Sequence, residues 1–355
     1  MSHIKSSYTH SPIMVNEIIN YLPNIENPIV VDCTCGEGGH SEALAHEIKG
    51  GTLVSIDRDA VILEIAKKRL IGTLSDRPFP PKIIIRESNF SNLPSLLNEL
   101  GMDKVDFFLF DLGISMYHYK EAKNGFSFTD DESLDMRLDH STELTAYDIV
   151  NSCRENEIRN IIFTLGEEPW AKVIARNIVR SRQSNPIKNA YDLQKILLGS
   201  IPKGKRNRNI HPATKTFQAL RIYVNQEFRH IEQGLIEGIR RLSMGGRMAV
   251  LTFHSLEDRI VKKIFKHFAQ SCICPEHIPV CQCEGLQSVK ILRKKPMTPS
   301  DMESTINPSA RSAKLRIVEK VHEASSQTWE ISKKTCQSTK KVFDFTHRFS
   351  HFVNH

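Results

Sequence analysis

The 355-residue chain has no apolar run approaching the roughly 20 residues that a membrane-spanning helix requires, so none is expected within it. Its first stretch, Met1 to His10, is polar and lacks the apolar h-region of a secretory leader, so a cytoplasmic location is expected. Cysteine is scarce: eight over this length do not make a disulfide scaffold, and in a reducing cytosol they serve as thiols or metal ligands. Acidic residues fall short of basic ones, 41 against 48, which leaves a net charge of +7 and a pI of about 8.9. That balance points to a polyanionic partner, with nucleic acid the first expectation. What is present is ordinary for a soluble protein, 40% hydrophobic and 25% charged. The length suffices for one large α/β domain with an insertion, or for two domains.

The rest of the chain is organised around Pro28 to His40. Ile29, Val30 and Val31 are continuous and β-branched, as suits a strand buried on both faces of a parallel sheet. Asp32 ends the strand, and Gly36, Gly38 and Gly39 follow before a helix expected over His40 to Ile48. Glycines there permit positive φ and close approach of a ligand, and the free amides of a helix N-terminus bind polar ligand atoms. Thr52 to Ile56 reads as a second buried strand delivering Asp57, where a carboxylate can bind ribose hydroxyls. A glycine turn alone is weak, but strand, turn, helix, strand and acid together predict a nucleotide-type cofactor site.

The chain continues in βα rhythm. Ser11 and Pro12 precede an amphipathic segment, Ile13 to Leu22, read as a helix packing beside the cofactor site. Ala60 to Leu70 is helical, Lys82 to Ile85 a third strand, and Phe90 in the following loop either stacks on an adenine or belongs to the core. Val105 to Phe110 is a fourth strand with Asp111 at its tip. Ligands of open α/β sheets bind outside the carboxyl ends of the strands, so Asp32, Asp57, Phe90 and Asp111 are expected to converge. The rhythm then stops. Helical patterns at Ala146 to Cys153, Glu155 to Leu165, Pro169 to Ser181 and Ala190 to Leu198, the last capped by Asn189, read as an inserted domain. Its basic residues Arg176, Arg180, Arg182, Lys203, Lys205, Arg206 and Arg208 either contact phosphates or form a solvated face.

Thr214 to Ser243 is read as one long helix, and Arg247 to Phe253 as a fifth strand whose tip carries His254, Ser255, Glu257 and Asp258. Val289 to Arg293 and Ala313 to Lys320 are expected to close the sheet as an antiparallel pair, with a mobile tail beyond His322. Cys272, Cys274, Cys281 and Cys283 form two C-x-C pairs, either free thiols or a zinc site of unusual spacing. Cys33 and Cys35 are read as small packing groups. A glycine turn with a ribose-binding acid serves nicotinamide enzymes and S-adenosylmethionine-dependent methyltransferases alike. Asp32, as a carboxylate for the methionine ammonium, and a single sheet closed by a hairpin favour the methyltransferase.

The motifs resemble the MraW/RsmH family, bacterial methyltransferases of the N4 amine of a decoding-centre cytidine in 16S ribosomal RNA. The matching segments are His10 to Pro12, Asp32 to His40, Ile56 to Asp59, Asp111 to Ser115, Gly125 to Phe128, Leu134 to Arg137, Pro212 to Arg221, Phe253 to Arg259 and Arg311 to Arg316. The resemblance implies an α/β, class I Rossmann-like methyltransferase sheet, with 1–118 and 212–320 forming the methyltransferase domain, 119–211 an inserted helical domain and 321–355 a tail. It also implies S-adenosyl-L-methionine as cofactor and 16S rRNA of the small subunit as partner. Cofactor contacts are implied at Gly38, Gly39, His40, Asp57, Phe90, Asp111 and His118, the last preceded by Ser115, Met116 and Tyr117 where a Ser-Ser pair is usual. Asp111 is the expected orienting group for the target amine, with His254 or Ser255 assisting or else capping a helix. Tyr117, Tyr119, Phe126 and Phe128 are candidate stacking groups for an extruded base. A DNA or protein methyltransferase, a non-enzymatic RNA-binding assembly factor and a nicotinamide oxidoreductase are the competing readings.

Overall fold

The computed structural model describes residues 11–74, 79–115, 117, 124–127, 131–139, 142–207, 210–272, 287–325 and 328–329. Seven strands form one sheet: β1 (Ile29–Asp32), β2 (Thr52–Asp57), β3 (Lys82–Glu87), β4 (Val105–Asp111), β5 (Leu242–Thr252), β6 (Val289–Ile291) and β7 (Lys314–Lys320), in the order β3-β2-β1-β4-β5-β7-β6. The first five are parallel, and β7 runs antiparallel to both β5 and β6. The central strands are apolar on both faces, with Val30, Val31, Leu53, Val54 and Phe107 to Phe110 fully buried, because helices cover both sides. The order reverses between β1 and β4, and a crevice opens at such a switch point at the carboxyl ends of the strands. This is the class I methyltransferase-type α/β sheet expected above.

The contacts divide the chain into two compact units. The first comprises the described residues up to Ser115 and from His230 onward, and the second those from 116 to 229. In the first, α1 (Val15–Ile19), α2 (Gly39–Glu47), α3 (Ala60–Leu74) and α4 (Leu93–Glu99) surround the parallel strands. The segment before Leu22 is thus one short helix and not a full amphipathic one, because Met14 sits in the left-handed region and blocks extension backward.

The second unit holds α5 (Ala146–Ser152), α6 (Glu155–Gly166), α7 (Ala171–Ser184), α8 (Ala190–Ser200) and α9 (Thr214–Val224). Thr145 and Asp148 close a capping box on α5, and Asn189 caps α8 as expected, accepting from the Asp192 amide. The long helix expected over 214–243 is two: α9 ends at Asn225, Gln226 takes φ +47, and α10 (Glu227–Arg241) begins anew. The break is built in. Buried Asn225 accepts from the Leu138 amide and donates to the carbonyls of Met136 and Arg221, while Arg221 and Glu227 form a buried two-point ion pair across the joint. α9 packs on α6 so closely that a Cβ at Gly166 would lie 2.5 Å from the Lys215 carbonyl oxygen. Thr214–Val224 therefore groups with the insertion, not with the sheet as a boundary at 211/212 expects.

Two further differences lie in the first unit. β5 starts at Leu242, opposite Val105, and then slips register so that Arg247 pairs with Phe107; Gly245, at φ +77, lets the intervening residues bulge. The expected tail is packed where it is described: Thr328 is 3% exposed, and the Trp329 ring lies 5.0 Å from Phe268 and under the Arg240 guanidinium. Among the described residues no helix is long and apolar enough to cross a membrane.

Candidate functional site

The site is built where β1, β2, β4 and β5 end. Asp32 closes β1 but turns inward: it is 0% exposed, accepts from the Ser41 hydroxyl (2.6 Å) and the Thr34 amide (3.1 Å), and Ser41 meets the Ser55 hydroxyl at 2.8 Å. Burial pushes its pKa upward against the opposing hydrogen bonds. The expectation that Asp32 presents its carboxylate to a ligand ammonium is thus corrected: it locks the turn from inside. Cys33 and Cys35 are buried beside it, and burial, reinforced by the Asp32 charge, holds both thiols well above their ordinary range, as suits the packing role.

The glycine turn is tied to β2 by Asp57, whose Oδ2 accepts from the Gly36 amide (2.9 Å) and Oδ1 from the Asp59 amide (3.1 Å). Gly36, at φ +51, has nothing within 4 Å of where a Cβ would stand, so this is the open point of the turn. Gly38 and Gly39 have a packing role as well. A Cβ on Gly38 would meet Ala66 at 3.2 Å, and one on Gly39 would meet the Pro12 ring at 3.1 Å.

Pro12 belongs to a strap that crosses the start of α2. Met14 donates its amide to Glu303 Oε1 at 2.7 Å, and the Ile13 carbonyl lies 2.9 Å from His40 Nε2. Glu303 stands on α12 (Asp301–Ile306), which Ser300 caps. The other ring nitrogen of His40, Nδ1, lies 3.3 Å from Asp111 Oδ2. A carbonyl can only accept, so Nε2 carries a proton, and the carboxylate at Nδ1 favours a second. Burial works against the charge on His40, but the Asp111 carboxylate and Asp32 outweigh it and raise the pKa above its ordinary value. The Asp111 amide donates to Thr34 Oγ1 at 2.6 Å, which locks the tip of β4 to the turn after β1. Asp111 Oδ1 is buried without a hydrogen-bond partner among the described residues. A half-satisfied carboxylate at this edge is what the site offers a ligand.

Beyond β3, Asn89 caps a single 3₁₀ turn, Phe90–Asn92, and its side chain reaches His230 Nδ1 at 3.0 Å. Phe90 packs edge-on to Phe110, with ring centroids 5.6 Å apart, and Gly234 of α10 leaves it room, since a Cβ there would fall 2.6 Å from the ring. One side of Phe90 is thus committed to the core, as one of the two readings left open for it expects, while the ring remains half-buried.

At the tip of β5, His254 is the N-cap of α11 (Ser255–Phe268). Glu257 Oε2 accepts from the Phe253 and His254 amides, and Glu257 Oε1 lies 2.9 Å from His254 Nε2. Capping therefore occupies His254, while Ser255 stands exposed on the first turn. Asp258 is clamped by Arg316 at 2.7 and 3.1 Å with Lys314 at 3.5 Å, and these cations overcome burial to lower its pKa.

His118, Tyr119 and Phe128 lie outside the described residues; Tyr117 and Phe126 belong to the second unit, where Phe126 is 4% exposed and buried as core. Cys272 is exposed, while Cys274, Cys281 and Cys283 lie outside the described residues, among which no cluster of metal-ligating side chains occurs. Of the basic residues of the insertion, Arg182 caps the Val150 and Cys153 carbonyls and Arg206 those of Ile201 and Leu198, so both are structural; Arg208 is not described. Sequence reasoning missed Thr34, Ser41, Ser55 and Glu303. Ser55, the one hydroxyl among the buried residues of β2, was the available signal.

A sheet of this order with one reversed strand, a glycine turn after β1 and carboxylates ending β2 and β4 defines a class I methyltransferase. The chain belongs to the MraW methylase family, whose family model matches residues 7–321. Among similar proteins, the Ribosomal RNA small subunit methyltransferase H of Finegoldia magna is 43% identical over 88% of this chain and 99% of its own length. Those of Clostridioides difficile and Geobacter sulfurreducens are 41% and 43% identical, covering 88% and 89% of this chain and 99% and 100% of their own.

Proposed function

We propose that this methyltransferase transfers the methyl group of S-adenosyl-L-methionine to the N4 amine of a cytidine in 16S rRNA of the small ribosomal subunit, the decoding-centre position conventionally numbered 1402. The observation that carries the reading is Asp111, anchored through its amide and Oδ2 and holding a buried Oδ1 without a partner among the described residues, in a chain whose family match runs over residues 7–321. A substrate in the ribosome implies action in the cytoplasm.

The donor set fits the cofactor. Asp57 ties the turn to the tip of β2, where a carboxylate can bind ribose hydroxyls, Phe90 offers a ring edge of the crevice, and Gly36, Gly38, Gly39 and His40 shape the turn that would hold the methionine portion. When bound, S-adenosylmethionine supplies an electrophilic methyl carbon on a sulfonium. His40 holds the Asp111 carboxylate in one orientation, and Asp111 accepts an N–H of the target amine, directing its nitrogen for in-line attack. Cytosine N4 is a poor nucleophile because its lone pair is delocalised into the ring, so this positioning supplies much of the rate. At the neighbouring tip, Ser255 is exposed and assists, while His254 is occupied as the N-cap of α11.

The test is methyl incorporation from labelled S-adenosylmethionine into 30S subunits from cells lacking the modification, with the nucleotide identified by mass spectrometry. N4-methylated cytidine in 16S rRNA is expected. Incorporation into another base or into protein would refute the substrate assignment.

A further inference from the structure

The outer rim of the sheet, formed by β6 and β7, takes no part in the site above, yet it carries cations that the protein leaves unpartnered. Lys290 on β6 faces Glu319 across the ladder, but Glu319 is engaged by Arg247 at 2.8 Å. Past Ile291, the Leu292 amide donates to the Ile317 carbonyl, and Met297 then pairs with Leu315 through bonds of 3.0 and 2.9 Å. Between those anchors β7 advances only from 317 to 315, so the surplus residues Arg293 to Pro296 are thrown outward as a loop. Leu292 and Met297 pack against the core cluster and hold both ends. Arg293, Lys294 and Lys295 are exposed on the loop, as is Arg311 just before β7. Among the described residues, none of Lys290, Arg293, Lys294, Lys295 or Arg311 forms a side-chain hydrogen bond or ion pair, whereas Arg247, Lys314 and Arg316 beside them are all matched to carboxylates.

Topology sets where this charge stands. β7 begins at Lys314, opposite Thr252, the last residue of β5 and two before His254. The Met297–Leu315 bridge therefore brings the loop to the end of the sheet where Asp111 and His254 lie. Lysine on an edge strand also guards against strand pairing, and Lys290 is placed for that, but Arg293 to Lys295 lie outside any strand and have no edge to guard.

We propose that this cationic rim, centred on Arg293, Lys294 and Lys295, grips the phosphate backbone of the RNA flanking the nucleotide delivered to the β4–β5 edge. The inference rests on the rRNA reading and adds a surface to it. Unpaired, exposed cations retain their full charge for phosphates, and each contact releases condensed counterions and steepens the salt dependence of binding.

The experiment compares the wild type, the neutralised R293Q/K294Q/K295Q and the charge-conserving R293K/K294R/K295R, using 30S subunits that lack the modification. The neutralised protein should show a KM for subunits raised about tenfold or more and a slope of log affinity against log salt reduced by about 2, at about 0.7 per single-strand phosphate contact. Its kcat at saturation should stay within about twofold and its affinity for S-adenosylmethionine unchanged, since phosphate contacts position without entering the chemistry. The charge-conserving protein should match the wild type. Equal KM and salt slope in wild type and neutralised protein would overturn the surface alone, as would self-association of the neutralised protein at unchanged KM, which assigns the cations to edge protection. A wild type that methylates no 30S subunit would overturn the rRNA reading and the surface with it.

Discussion

At the scale of single residues, the site turns on one carboxylate and the imidazole that steadies it. Because Asp111 raises the His40 pKa, the pair contributes its stabilisation fully below the ordinary value of about 6.5 and loses it as pH rises through the raised one. Asp111→Asn should therefore lower the His40 pKa followed by NMR titration. The thermal stability gap between the two proteins should be widest below about pH 6.5 and close at higher pH. Asp111→Ala should abolish methyl transfer, and near-wild-type turnover would remove the residue from the mechanism. Asp258 works in the opposite sense. Its pKa is depressed by Arg316 and Lys314, so its contribution is present above the ordinary carboxylate value of about 3.9 and fades as pH falls through the lowered one. Arg316→Met should cost about 1.5–3 kcal/mol near neutral pH, measured by denaturant unfolding, and progressively less in acid.

At the scale of elements, two joints do work that neither flanking helix does alone. The strap from Pro12 to Met14 reaches His40 through the Ile13 carbonyl and is held in turn by Glu303 from α12. Glu303→Ala should loosen it and weaken S-adenosylmethionine binding by about 3–10-fold, a loss of about 0.7–1.4 kcal/mol, whereas Glu303→Gln keeps an acceptor and should bind nearly as the wild type. Isothermal titration separates the two. The second joint is Asn225. Its replacement by Ala would leave the Leu138 amide and the Met136 carbonyl without their partner, at about 1–3 kcal/mol for each buried group. A chemical unfolding curve unchanged by Asn225→Ala would show that the α9–α10 break is held by something else.

At the scale of the whole molecule, the chain is two compact units, each with its own buried core: Phe107 to Phe110 and their neighbours in the sheet, and Ile158, Ile162, Ile174, Ile178, Leu193 and Phe217 in the insertion. Separate cores predict separate opening units. In native-state hydrogen exchange, Asn225→Ala should lower protection among the helices of residues 146–224, while Arg316→Met should lower it in β5, β7 and α11. A uniform loss from either substitution would mean that the chain opens as one body.

Much of this was legible in one dimension. Continuous β-branched runs, a glycine turn and acids at strand ends follow from backbone physics and local spacing, so the parallel strands, the glycine turn and the strand-end positions of Asp57 and Asp111 were all visible in the residues, as was the loss of βα rhythm that marks the insertion. Other features depend on partners far away in the chain. Nothing near Asp32 says that Ser41 and Thr34 will consume its oxygens, nothing near Gln226 says that Leu138 needs Asn225, and nothing near Glu303 announces a residue 289 positions earlier. The Arg293 to Lys295 run reads as one more charged loop until an antiparallel strand carries it to the sheet end that Asp111 and His254 share. Spacing along the chain determined which elements form and which sheet edge gathers the polar strand ends. Only the tertiary structure decided which polar groups that edge keeps for a ligand, because a hydrogen bond is spent or saved according to what folding places within about 3 Å.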